Sequence, residues 1–174
     1  MRISKILPIL LVGVGSVLAD GISINGAITA IQNATSVLSN TVAAWNGDIL
    51  GAVPIITQST SLLKFIDDGI AIAKASAILS ETEAVSVGIA TTTLATTINA
   101  LLVVVVDAKA KFDRVLLTPV ILLNLEQEKS ATSLFSSAVV GKLSEGSVAT
   151  GQQLFSQITA AFGSAIGSYG GGYI

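Results

Sequence analysis

Apolar and polar positions alternate along this chain in steps of three and four, the repeat of a helix with one buried stripe. From Ser23 to Trp45 the stripe is Ile24, Ile28, Ile31, Thr35, Leu38, Val42 and Trp45, and Asn46-Gly47 ends it. Gly47 suits the residue just past a helix end, where a left-handed backbone is needed. A second helix is expected near Pro54, with Asp48 capping it. Its stripe reads Ile56, Ser59, Leu63, Ile66, Ile70, Ala73 and Ala77. Ser80-Glu81-Thr82-Glu83 has the pattern of a capping box. It opens the longest seam: Ala84, Val87, Thr91, Leu94, Ile98, Leu101, Val105, Ala108 and Phe112. One helix from Ser80 to Arg114 would be about 50 Å long, enough to span a small domain. The β-branched run Val103 to Val106 favours a strand locally. The continuing seam and the pairs Asp107–Lys111 and Lys109–Asp113 favour helix.

Thr118-Pro119 reads as an N-cap followed by proline at the first helical position. A fourth helix should run to about Val140, with Val120, Leu123, Gln127, Ala131, Leu134 and Ala138 inward. A fifth should run from about Ser147 to Tyr169 on Val148, Phe155, Ile158, Phe162, Ile166 and Tyr169. Gly170-Gly171-Gly172 stops it. The expected architecture is all-α: a single-domain five-helix bundle over 20-169, with a Gly-rich tail at 170-174.

Residues 1-19 read as a secretory signal peptide. Arg2 and Lys5 form a positive start, Ile6 to Val17 an apolar core, and Val17-Leu18-Ala19 a small-residue cleavage site before Asp20. The apolar run is too short for a bilayer, which needs about 20 residues. No apolar tail follows at the other end, so a lipid-anchor signal is not expected. An exported chain makes Asn33-Ala34-Thr35 a candidate glycosylation sequon. Asn33 lies roughly 200° from Ile31 around the helix and should face solvent.

Composition narrows the chemistry. The chain is 51% hydrophobic but only 11% charged, so Ser, Thr, Gly, Ala and Asn must cover much of its surface. It has no Cys and no His, which removes disulfides, a thiolate nucleophile, an imidazole base and the usual zinc ligands. The net charge of -2 and the lack of a basic patch argue against nucleic acid. Asp67-Asp68 does not make a metal site, because neighbours on a helix diverge by about 100°. No nucleotide-binding glycine motif follows a strand pattern. No cofactor and no enzymatic activity are expected. What remains is an interior of Ile, Val, Leu and Ala, an adaptable lining for an apolar ligand between helices.

Several fragments together resemble the fungal hydrophobic surface-binding protein A family, which includes cell-wall galactomannoproteins. They are Ala44-Trp45-Asn46-Gly47-Asp48, Leu79-Ser80-Glu81-Thr82-Glu83-Ala84, Lys109-Ala110-Lys111-Phe112 and Leu125-Glu126-Gln127-Glu128-Lys129 followed by Ser130-Ala131. The likeness covers nearly all of the chain after residue 19. It implies a secreted or wall-held helical bundle that binds fatty acids or related lipids in its interior. Two other roles fit the resemblance: adhesion to hydrophobic surfaces, and a structural cell-wall mannoprotein. The chain lacks the long Ser/Thr-rich stalk of the more decorated wall proteins. No motif singles out a ligand site. The candidate lining is therefore the inward set Leu63, Ile66, Leu94, Ile98, Leu101, Val105, Phe112, Leu123 and Phe155.

Overall fold

The structure, a computed structural model, describes residues 17–170, with side chains from Asp20 onward. Residues 1–16 of the expected signal peptide lie outside the described residues. The helices are α1 (Val17–Ala44), α2 (Ala52–Ala75), α3 (Glu81–Asp107), α4 (Lys109–Arg114), α5 (Thr118–Val140) and α6 (Glu145–Gly170). Among the described residues there is no strand. The five long helices are the five expected. The sixth, α4, is the end of the expected Ser80–Arg114 helix, cut off at Ala108. There the helical ladder is interrupted, and the carbonyl of Val105 accepts instead from the Tyr169 hydroxyl at 2.7 Å.

Contacts close the five long helices into a ring in the order α1, α2, α5, α6, α3. Two ties show that α1 and α3 run parallel. Near their starts the Gly21 amide donates to Glu83 Oε1 at 3.1 Å, and beyond their ends Trp45 stacks on Phe112 with centroids 4.4 Å apart. The Tyr169–Val105 bond lays α6 alongside α3 in the same sense. The helices α2 and α5 run the other way.

All seven stripe residues expected for α1 are buried, as are all nine of the long seam. The helix α3 is long and apolar enough to cross a membrane by length and composition. Here its seam packs against α1 and α6, as a core helix does. Its capping box forms as expected: the Glu83 amide donates to Ser80 Oγ at 3.4 Å and the Ser80 amide to Glu83 Oε2 at 3.0 Å. Gly47 takes the left-handed backbone, φ 89°.

Ser59, Ile66, Ile70 and Ala73 of α2 and Ala131 of α5 are buried as expected, while the rest of the two stripes is shifted. In α2 the buried seam is Ala52, Ile55, Ser59, Leu62, Ile66, Ile70 and Ala73. Ile56 and Leu63 are only half-buried, and Ala77 lies beyond the helix and is exposed. In α5 the seam is Thr118, Ile121, Leu125, Glu128, Thr132, Phe135 and Val139. Leu123 is 52% exposed, Leu134 57%, and Gln127 is exposed. Adjacent apolar pairs make either phase plausible by pattern alone. The choice is made by large side chains such as Phe135, which meets Phe155 edge-on at 6.2 Å, and by a polar pair, Ser59 with Glu128. Gly69 lets α2 come close: a Cβ there would sit 3.1 Å from the Phe135 ring and 3.3 Å from Ile31.

Two local expectations are also corrected. Thr118 caps nothing; its hydroxyl donates to Asp113 Oδ1. Lys111 does not pair with Asp107. It reaches back to the Trp45 carbonyl at 2.6 Å, while Lys109 and Asp113 pair as expected at 2.8 Å.

Candidate functional site

The inner face of α3 organises the interior. Val87, Thr91, Leu94, Ile98, Leu101 and Val105 lie on it in succession, over about 27 Å of helix. At its two ends the packing loosens.

Near the start of α3 a groove of about 360 Å³ opens to the surface between α3 and the first turns of α6. Ligand pockets are commonly about 300–1,000 Å³. Val87, Thr91, Val139 and Phe155 form its buried floor, and Val85 and Ile89 stand exposed beside it. Gly88 and Gly146 also line it, and the absence of side chains there keeps it open. The loop between α5 and α6 hangs over this end. It is tied to the opposite loop by the Leu79 amide donating to the Lys142 carbonyl at 2.7 Å.

Toward the other end lies a small cavity of about 20 Å³ among mostly buried residues, room for one water by the usual criterion of about 10–15 Å³. Leu101, Val105 and Phe112 form its wall on the α3 side, and Leu38, Val42, Ile55, Ile121 and Leu125 most of the rest. Three polar side chains reach it: Ser59, Asn124 and Glu128. The Ser59 hydroxyl donates to Glu128 Oε1 at 2.7 Å. Glu128 is 3% exposed, and burial pushes its carboxyl up to about 7, with the Ser59 bond pulling weakly the other way. Near the same end, burial pushes the Tyr169 hydroxyl above its ordinary value, and the charge of Asp113 adds to this.

The structure thus divides the candidate lining. Leu101, Val105 and Phe112 meet at the cavity. Phe155 floors the groove. Leu94, Ile98 and Ile66 are buried in the packed region between, lining neither space. Leu63 sits at the edge of the core, and Leu123 faces solvent. The pattern missed Glu128 and Asn124 because α5 was phased one residue away, on Gln127. The signal that finds them is Phe135, the largest side chain of α5. Steps of three and four back from it reach Thr132 and Glu128, and from Glu128 both Leu125 and Asn124.

A third space, of about 580 Å³ between α1 and α2, is a broad surface hollow with Asp20 and Asp68 on its rim. It does not reach the ring interior. Asn33 is exposed on α1, whereas Thr35 of the same sequon is fully buried and donates to the Ile31 carbonyl at 2.7 Å. Among the described residues no three metal-ligating side chains converge.

Comparison with known proteins gives one family. The family described as hydrophobic surface binding protein A matches over residues 22–141. No curated protein sequence matches significantly. Among solved structures, the chain is similar to Afmp4p in complex with palmitic acid, at 26% identity and a TM-score of 0.84, over 86% of this chain and 99% of that one. It has the same fold as ligand binding domain 1 of Penicillium marneffei MP1 protein complexed with arachidonic acids, at 19% identity and a TM-score of 0.83, over 86% of this chain and 98% of that one. Domain 2 of that protein, complexed with multiple arachidonic acids, matches at 20% identity and a TM-score of 0.82, over 86% and 96%.

Proposed function

This chain belongs to the hydrophobic surface binding protein A family, and we propose that it is a secreted, non-enzymatic carrier of a fatty acid or related lipid. The hydrocarbon chain lies along the inner face of α3, inside the ring, and enters through the groove between α3 and α6. The observation that carries this reading is the near full-length agreement with a protein solved with palmitic acid. The apolar face from Val87 to Val105 supports it, because each buried methylene contributes about 0.8 kcal/mol. The small cavity has far too little room for an acyl chain, so uptake requires the helices at that end to part. Export rests on the leader-like residues 1-19, and attachment to a cell wall would be a further step. Asn33 is the glycan acceptor in that setting. Since Thr35 is buried in the folded helix, attachment must precede folding.

Lipid extraction from the secreted protein and mass spectrometry test the carrier reading. Bound fatty acid, or uptake of added palmitic acid, is expected. Leu101→Glu should abolish uptake while helical circular dichroism is retained. A folded protein with neither bound lipid nor uptake would overturn it.

One observation favours surface adsorption as a second reading. Leu50 and Leu116, 79% and 84% exposed, stand in the loops at the Trp45–Phe112 end, and Leu116 holds an unusual left-handed backbone, φ 59°. Adsorption to apolar beads that survives Leu101→Glu would speak for it.

A further inference from the structure

We infer that the ring takes its lipid in uncharged form, the polar end being met inside by the Glu128 carboxyl and the Ser59 hydroxyl. This rests on the carrier reading above and adds what kind of headgroup enters.

The argument starts from what surrounds Glu128. The cavity wall contributed by α1, α3 and α4 is wholly apolar, α2 adds Ser59, and α5 adds Asn124. The ionisable side chains described on α6, Glu145 and Tyr169, stand at its two ends. None of the described lysine and arginine side chains lines the cavity. Lys64 and Lys109 hold surface carboxylates, Lys111 and Lys142 hold backbone carbonyls, Lys74 is exposed on α2, Arg114 lies by Gly47, and the half-buried Lys129 lies toward Gly163 of α6. A buried carboxylate needs a cation or several N–H donors. Here the helices use their own amides, and no cation lines the cavity. Above about pH 7, where Glu128 loses its proton, an ionised fatty acid would also face it as a like charge. A neutral carboxyl or hydroxyl head faces no such cost. A protonated Glu128 can both donate to it and accept from it. The burial of Glu128 holds its carboxyl neutral to about pH 7, so this pairing is available over the mildly acidic range.

The test uses dodecanoic acid and dodecanol as probes, with the intact protein and its Glu128→Gln variant, at about pH 5 and about pH 8.5. Binding is followed by calorimetry and native mass spectrometry, and folding by circular dichroism. For the unsubstituted protein, affinity for dodecanoic acid should fall by about tenfold or more between the two conditions, the equivalent of one or more pKa units. Affinity for dodecanol should be nearly unchanged. In Glu128→Gln the fall for the acid should shrink clearly, since only the charge of the ligand itself remains. Equal binding of the acid at both pH values would overturn the inference and leave the carrier reading standing. So would an identical fall in the variant, or binding of the acid but not the alcohol. Failure of both probes at both pH values would overturn the carrier reading itself, and this inference with it.

Discussion

The Ser59 hydroxyl donates to Glu128 Oε1 across 2.7 Å, joining α2 to α5 inside the ring. The pairing fixes the phase of both helices, and it makes stability depend on pH. Glu128 is raised from an ordinary 4.5 to about 7 in the folded state. Below about pH 4.5 it is protonated whether folded or not, and there is no penalty. Between about 4.5 and 7 the unfolded chain releases this proton while the folded chain keeps it, so stability falls as pH rises. Above about 7 the loss is complete, on the order of 3 kcal/mol. Glu83 and Asp113, both lowered by hydrogen bonds, act in the opposite sense and lose stabilisation as the pH drops through their range. The melting temperature should therefore peak at mildly acidic pH. Glu128→Gln should flatten the decline between pH 5 and 7.5 in thermal scans. An equally steep decline in the variant would assign it to another group.

The seams of α1 and α3, and the start of α3, were easier to read than α2 and α5 for a physical reason. In α1 the large apolar residues of the stripe stand nearly alone among Ser, Thr, Asn and Ala, so one phase buries them all. The capping box at Ser80 is purely local chemistry and needs no knowledge of packing. In α2 and α5, by contrast, Ile55-Ile56, Leu62-Leu63 and Ile121-Leu122-Leu123 allow two phases of nearly equal apolarity. What separates them is contact with another helix: Phe135 against Gly69 and Phe155, and Glu128 against Ser59. Such pairings appear only once the order of helices around the ring is known, and striped helices alone do not set that order. The interruption at Ala108 had a similar origin. It coincides with Tyr169, more than sixty residues away, donating to the Val105 carbonyl.

Glu83 does more than cap its own helix. Its Oε2 accepts from the Ser80 amide and hydroxyl, and its Oε1 accepts from the Gly21 amide of α1. Gly21 leaves no space beside it: a Cβ there would lie 2.7 Å from Glu83 Cγ. Glu83→Ala should therefore cost more than a simple cap, about 2 kcal/mol in urea denaturation. Glu83→Gln should recover part of that, since an amide oxygen still accepts. A loss below about 0.5 kcal/mol for Glu83→Ala would mean that the start of α1 is not held by this contact.

Entry through the groove can be separated from stability at Gly88. This residue lines the groove, yet a Cβ built on it meets nothing within 4 Å. A side chain can therefore begin there without a clash at its first atom, and a large one would reach over the groove. Gly88→Trp should also favour the helix by about 0.5 kcal/mol, because glycine is a poorer helix former than tryptophan. The expected result is a fold as stable as the original or more so, together with uptake of palmitic acid slowed or weakened by about tenfold, measured by stopped-flow displacement of a fluorescent fatty acid. Leu123→Asp is the matched control. Leu123 faces solvent on the outside of α5, so uptake there should be unchanged. If Gly88→Trp folds and takes up lipid at the original rate, the groove is not the mouth, and the helices part elsewhere in the ring.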